Sequence, residues 1–381
     1  MSYVTNEAAL SAQEKQLFMP RGQSLRRIAA NYKRATLFTL TMALLLPAAV
    51  QAAGAGVNVA GTVDFAVRAQ RSSAAIPAGF HTFFSYRVRV LPLDAAADMS
   101  NGIVVGTANG VAVAYVNGQV IPLPGKTGYA NIRATAISSN GFIVGSGHSG
   151  TNDRGLFWAS YNNAPMDMGG LGALTYPRSV NSSGVAVGEF YRTSIDDLPT
   201  AFTWSLSGGI RSIAPQSSNQ SQAFSISDSG YVAGFAWYGV TQAATRWYPG
   251  TFQPGTAAYG NFAWRAMEND TIFGYTTAWD LSNHAYNIAP NAISLVYDMN
   301  GNGRKVGTDI FATPRRGWTV APGGSAAQYL PVPVGAIDSY ATRVDRCGTI
   351  LGSVTYADNT TKAVLWTKMI CDELPVFTRA P

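Results

Sequence analysis

The stretch ISSNGFIVGSG, residues 137–147, joins an apolar residue, a polar turn and a run of β-forming residues. Variants of it occur six more times: DMSNGIVVGTA from Asp98, VNSSGVAVGEF from Val180, ISDSGYVAGFA from Ile226, MENDTIFGYTT from Met267, MNGNGRKVGTD from Met299 and VDRCGTILGSV from Val344. Asn, Ser, Asp and Gly at the turn accept positive φ and close hairpins. The second glycine falls at Gly106, Gly145, Gly188, Gly234, Gly274, Gly307 and Gly352, at intervals of 39, 43, 46, 40, 33 and 45 residues. Such a spread describes one structural unit with loops of variable length. A glycine fixed inside a strand marks a place where backbones crowd.

A second element follows each copy and centres on an aromatic: Tyr115, Trp158, Trp204, Trp247, Tyr286, Trp318 and Trp366. A third follows several of these, as in QVIPLP and AQYLPVP, and a further strand such as RATAI precedes the turn. Four short strands in about 40 residues, repeated, predict an all-β chain folded as a β-propeller of about seven four-stranded blades. One aromatic per unit at matching positions suits packing between blades. The last unit runs out after AVLWTKMI, whereas SYRVRVLPL, 85–93, precedes the first unit and alternates strictly. Residues 86–91 are therefore expected to complete the last blade, leaving no open edge.

Composition agrees. Hydrophobic residues make up 47% of the 381 and charged residues 13%, and the 39 Gly and 19 Pro show no collagen-like period. Six of the 27 basic and two of the 21 acidic residues precede Ala53, which leaves 21 against 19 in the rest of the chain. That balance offers no electrostatic footprint for nucleic acid.

The excess basicity belongs to a leader. Arg26, Arg27, Lys33 and Arg34 precede the apolar run ATLFTLTMALLL, 35–46, and small residues Val50 and Ala52 flank an expected cut after Ala52. This pattern reads as a secretory signal peptide over 1–52, with Met1 or Met19 as its start. The apolar run is shorter than the roughly 20 residues a spanning helix needs, so no stable membrane anchor is expected. Residues 53–85 read as a linker or N-terminal extension, and 86–381 as the repeat domain of a monomer that is periplasmic or extracellular. Cys347 and Cys371, the two cysteines of an exported chain, are expected to form one disulfide. It would close a loop worth about 3 kcal/mol by chain entropy.

The units resemble the bacterial probable extracellular repeat, HAF family, through HAYNI at His284, AFTW at Ala201, the SVN stretch before Asn181's turn and MDMGGLG at Met166. The likeness runs from about residue 86 onward. It implies a secreted repeat protein and supplies no catalytic residues, because that family has no assigned activity. The fifth unit departs from the pattern, with Asp270 in place of the first glycine.

No nucleophile elbow, HExxH or phosphate-cradling loop is present, and His81, His148 and His284 lack metal-ligand spacing. DMNGNGRKVGTD sets Asp298, Asn300, Asn302 and Asp309 at positions 1, 3, 5 and 12 of a calcium-loop pattern, making Ca²⁺ the one candidate cofactor. The same stretch also reads as a plain polar turn, with Arg304 at position 7 and Asp where a bidentate Glu is usual.

The loops between second and third strands are the expected ligand face, carrying Tyr191, Trp237, Tyr238, Trp279, Phe311 and Tyr356. Exposed aromatics beside Asp and Asn suit a glycan or an extracellular or envelope protein. A non-enzymatic binding module is the first expectation. Alternatives are a polysaccharide hydrolase or lyase pairing Asp196 or Asp197 with Asp280 from different blades, or a purely structural surface protein.

Overall fold

The computed structural model describes residues 86–368, apart from 260, 268–270 and 292–293. The leader, the 53–85 segment, His81, Asp270 and Cys371 lie outside the described residues. Among the described residues no helix is long and apolar enough to cross a membrane. Their regular structure consists of 28 strands that fall, in chain order, into groups of four.

The first strand is β1 (Arg87–Val90). Unit 1 contains β2 (Ala95–Ser100), β3 (Ile103–Ala108), β4 (Val111–Val116) and β5 (Gln119–Pro122). Unit 2 contains β6 (Ala130–Ile137), β7 (Ile143–Ser149), β8 (Asn152–Trp158) and β9 (Met166–Asp167), and unit 3 contains β10 (Leu174–Val180), β11 (Ala186–Tyr191), β12 (Thr200–Ser205) and β13 (Gly209–Ser212). Unit 4 is built from β14 (Gln220–Ile226), β15 (Val232–Tyr238), β16 (Thr241–Trp247) and β17 (Pro254–Tyr259). Unit 5 has the shortest strands, β18 (Arg265–Ala266), β19 (Ile272–Phe273), β20 (Thr277–Trp279) and β21 (Ala285–Asn287). Unit 6 is β22 (Ser294–Met299), β23 (Lys305–Asp309), β24 (Arg316–Val320) and β25 (Gln328–Tyr329). Unit 7 has β26 (Ala336–Val344), β27 (Ile350–Tyr356) and β28 (Thr361–Thr367), and its fourth strand is β1.

Each unit is an antiparallel meander. Units 2 and 3 are joined into one larger sheet by a single parallel bridge between Leu174 and Asp153. β1 pairs antiparallel with β28, setting Val88 opposite Trp366 and Val90 opposite Val364.

The core lies between units, because a four-stranded sheet has two faces and cannot bury both alone. Val105 and Ala114 of unit 1 pack with Ile143 and Trp158 of unit 2. The same arrangement recurs between units 2 and 3, 3 and 4, 4 and 5, 5 and 6, and 6 and 7. Leu351 and Ala363 of unit 7 then pack with Met99, Val104 and Val113 of unit 1, so the packing order is cyclic. First strands of neighbouring units also touch each other, as β2 does β6 and β26, which makes them the innermost strands.

The recurring aromatic belongs to this inter-unit core. Tyr115, Trp158, Trp204, Trp247, Trp279 and Trp366 each sit opposite the residue two before the repeat glycine, respectively Val104, Ile143, Ala186, Val232, Ile272 and Ile350. In unit 5 the aromatic is therefore Trp279 and not the expected Tyr286. Gly274 N–H donates to Thr277 O, so the third strand starts at once, and Tyr286 is left 44% exposed on β21. Trp158, Trp247 and Trp366 donate their indole N–H to Pro124, Ile213 and Pro331 carbonyls, on the segment leaving the preceding unit. Trp318 is shifted by two residues to face Gly307, and its buried Nε1 has no partner.

The repeat glycine has a single physical cause. The innermost strand carries a β-bulge opposite it, skipping Ala97, Thr135, Arg178, Phe224, Tyr297 and Thr342 in units 1, 2, 3, 4, 6 and 7. The bulge pushes a carbonyl toward the glycine. A Cβ there would lie 2.1 Å from Ala95 O at Gly106 and 1.8 Å from Arg133 O at Gly145, and the same clash recurs at the other five. The first glycine of the turn has a different role: Gly141 and Gly184, with φ of 82° and 75°, hold the left-handed region that closes the hairpin.

Candidate functional site

The expected loop face is only partly a loop face. Second-to-third-strand connections are two residues long in units 1, 2 and 4 and longer in units 3, 6 and 7. Tyr191 ends β11 and is buried at 8% exposure, its ring edge-on to Tyr176 and its hydroxyl accepting from Gln222. Burial and the Glu189 carboxylate push the Tyr191 phenol above its ordinary value. Trp279 is core, 2% exposed. These two residues are thus corrected from ligand contacts to packing. Trp237 and Tyr238 lie within β15, half-buried, and Tyr238 borders an open cleft with Arg211, Pro215 and Phe252. Tyr356 ends β27 half-buried, and Phe311 is 51% exposed on the loop after β23.

The calcium-loop residues are not brought together. The hairpin register pairs Asp298 with Val306 and Ser294 with Asp309, which puts Asp309 at the far end of the ladder from the turn. Asp298 accepts from Val344 N–H and faces Arg265. Asn300 accepts from Arg304 N–H and donates to Asp345 O. Asp309 accepts from Tyr329 and Ser294 hydroxyls, and Asn302 is exposed in the turn. Among the described residues no group of three or more His, Cys, Asp or Glu side chains is placed to hold a metal.

Nor do the named carboxylates converge. Asp197 caps Thr193 and Ser194 in the loop after a second strand, whereas Asp280 caps Ser282 and His284 in the turn after a third strand. In an antiparallel meander these connections leave opposite ends of the strands. Asp196 lies in the same loop as Asp197. Of the two histidines among the described residues, His148 has the more buried partner: its Nδ1 is 2.9 Å from Asp153, which also accepts from Tyr176.

The feature that the sequence reading missed lies on and beside the first and second strands of units 4 to 6. The bulge residues Phe224 and Tyr297, and Trp264 at the matching place in unit 5, occur ten residues before their repeat glycines. The residue after the glycine, Phe235 in unit 4 and Tyr275 in unit 5, packs beside its own unit's bulge residue, with centroids 5.6 and 5.2 Å apart. The rings continue across units. Phe224 meets Trp264 edge-on at 4.7 Å, and Tyr275 meets Tyr297 at 5.7 Å, with Phe262 against both Trp264 and Tyr275. All but Tyr297 remain half-buried, not sealed. Trp237 lies two residues beyond Phe235 on the same strand face and extends the arc toward the strand end.

Elsewhere the same positions are small or paired. Unit 2 has Thr135 and Ser146, and unit 7 has Thr342 and Ser353. Unit 3 has Arg178 gripping Glu189 through Nε and Nη2 at 2.5 to 3.1 Å, with Glu189 fully buried. Burial alone would lower the Arg178 guanidinium, but the adjacent Glu189 carboxylate holds it above its ordinary value. In unit 6 the position after the glycine is Thr308, buried, with no partner for Oγ1.

In units 1, 3 and 6 the next residue along the innermost strand ties its unit to the following one. Asp98 Oδ2 accepts from Ile137 N–H, Ser179 Oγ from Ile226 N–H and Asp298 Oδ2 from Val344 N–H. Arg265 reaches Asp298 at 3.4 Å, and Arg343 reaches Asp98 at 2.9 Å. At the turn end, Asp228 of unit 4 accepts from Ser182 N–H of unit 3 and Ser139 Oγ of unit 2, and lies 3.7 Å from Arg346 of unit 7. Polar contacts thus cross between non-adjacent units at that end.

No protein-family model matches the sequence, and no curated protein matches it. Among solved structures the chain is similar to a puromycin hydrolase mutant complexed with PGG, with a TM-score of 0.51 and 11% identity over 77% of this chain and 53% of that one. The chain thus spans about half of that protein. It is also similar to YCF48 bound to D1 peptide, at TM-score 0.49 and 14% identity, covering 81% of this chain and 100% of that one. For the putative TolB from Agrobacterium tumefaciens the TM-score is 0.37 and the identity 10%, over 70% of this chain and 86% of that one. At such identities the likeness concerns fold alone. Consecutive four-stranded antiparallel units packed face to face make that fold an all-β, propeller-type one.

Proposed function

We propose that this chain is an exported, closed seven-bladed β-propeller that acts as a binding module, its ligand a glycan or an envelope or extracellular protein. The observation that carries the reading is the arc of half-buried rings, Phe224, Phe235, Trp264 and Tyr275, continued by Trp237, on and beside the first and second strands of units 4 and 5. A propeller needs large aromatics between blades. It has no packing need to leave a second, connected set incompletely covered on its inner edge, and such surface is where ligands gain most contact area.

Closure is supported by β1 completing unit 7 and by the core shared between units 7 and 1. Export rests on the leader and on the resemblance to secreted HAF-type repeats. The pairing of Cys347 with Cys371 belongs to the same proposal, since Cys347 lies in the turn of the closing blade. The reading needs no cofactor. It is preferred to hydrolysis because Asp197 and Asp280 cap turns at opposite strand ends.

Retention of the full chain on immobilised envelope polysaccharides and envelope proteins tests it, with Trp264→Ala and Trp237→Ala run beside it. Retention lost in both variants at unchanged thermal unfolding supports the inner-arc site. Retention untouched by both sinks it.

A further inference from the structure

Resting on that reading, we infer that the inner arc takes a neutral saccharide, a chain end whose pyranose ring lies against Trp264 and whose hydroxyls meet the polar part of the same wall. Three observations lead there. The rings are half-buried on and beside the first and second strands of units 4 and 5, a position toward the inner edge that suits a narrow ligand better than a flat protein surface, which needs about 800 Å² of contact per partner. The wall is mixed, with aromatic rings on units 4 to 6 and hydroxyl side chains such as Thr135 and Thr342 on units 2 and 7. A sugar presents the same two chemistries, an apolar C–H face and a rim of hydroxyls. Thr308, in the row of Phe235 and Tyr275, is buried with no partner for its Oγ1, a hydroxyl left over by the protein's own bonding.

Charge separates neutral from acidic sugars. Among the described residues, the charged side chains of the innermost strands at the level of the arc are matched: Arg178 by Glu189, Arg265 by Asp298 and Arg343 by Asp98. An added carboxylate or phosphate would enter a wall with no free cation and would lose hydration without gaining a partner. The nearest unmatched cation on an innermost strand, among the described residues, is Arg133, exposed and two residues farther from the hairpin turn than Thr135. An acidic ligand would depend on it.

The experiment is intrinsic tryptophan fluorescence and calorimetric titration of the full chain with cellobiose, N,N′-diacetylchitobiose, maltose and digalacturonate, at low and high salt. At least one neutral disaccharide is expected to bind, with affinity unchanged by salt and about tenfold tighter than digalacturonate, since screening acts only between charges. Trp264→Ala should abolish binding. Thr308→Val, nearly isosteric, should weaken it about threefold without lowering the unfolding midpoint, and Arg133→Gln should leave it unchanged. Preference for digalacturonate, steep salt dependence or loss in Arg133→Gln overturns the inference while the binding reading stands. So does failure of every sugar when retention on a protein or peptide is lost in Trp264→Ala. Sugar binding that survives both Trp264→Ala and Trp237→Ala overturns the inner-arc site itself.

Discussion

Arg343 donates its Nε to Asp98 Oδ1 at 2.9 Å, joining two residues 245 positions apart in the chain. The other carboxylate oxygen of Asp98 accepts from Ile137 N–H, so this one side chain holds units 7, 1 and 2 together. Burial and the neighbouring Arg265 guanidinium hold the Arg343 guanidinium below its ordinary value, an effect that Asp98 and Asp298 offset only in part.

Removing the cation alone leaves a mostly buried carboxylate without its partner. Arg343→Met is expected to cost about 3–5 kcal/mol in urea unfolding, and the double variant with Asp98→Asn less than the sum of the two singles. Additive costs would show that the pair is not coupled.

The two glycine classes should respond differently to alanine. At Gly352 the new Cβ would lie 1.8 Å from Tyr340 O, held by the ladder, so Gly352→Ala is expected to lose more than about 4 kcal/mol or fail to fold. At Gly110, with φ of 75° and nothing within 4 Å, alanine meets only backbone strain and should cost about 1 kcal/mol. Thermal melts of the two variants decide it.

Trp158→Phe removes an indole N–H that bonds Pro124 O at 3.0 Å, while Trp318→Phe removes one that is buried without a partner. The second substitution relieves an unsatisfied donor, so it should be the milder by about 1–3 kcal/mol. Equal losses in chemical denaturation would refute this difference.

Asp345 opens the turn of unit 7, where units 3 and 6 have Asn181 and Asn300. Burial raises its carboxyl above the ordinary value, partly offset by the N–H groups of Thr349, Cys347 and Gly348. The folded state therefore holds this proton to higher pH than the unfolded chain does. The group's effect on stability is most favourable below its unfolded pKa and declines as pH rises through the folded one. Asp345→Asn keeps the acceptor for Thr349 N–H, so it should stabilise at neutral pH relative to the native chain, and that gain should shrink toward acid. Parallel melts at pH 7 and pH 4 read the difference.

The strand count, the glycine turn and the pairing of residues near 86–91 with the last unit were legible because Gly106 and its six counterparts recur under one backbone constraint. Trp279 and Tyr286 were exchanged because the sequence does not show that the Gly274 hairpin closes within three residues. Trp237, expected on a loop, lies within β15 on the same face as Phe235. Phe224, Trp264 and Tyr297 went unnoticed although they share one offset from the glycine: the bulge breaks the period of two by which strand faces are read, and the column contains Ala, Thr and Arg in the other units. The calcium pattern failed for a related reason, since a ladder running the length of β23 takes Asp309 away from Asp298.

The pairing of β1 with β28 also orders events during synthesis. The strand made first in the repeat domain has no partner until Thr367 has left the ribosome, so the interface between units 7 and 1 is the last to form, whatever the other units have already done. Until then Val88, Val90 and Leu91 form an apolar strand with free edges, a target for holdase chaperones and for pairing with a second nascent chain. A chain clipped before Thr361 would keep six complete units and lose the partner of its own first strand.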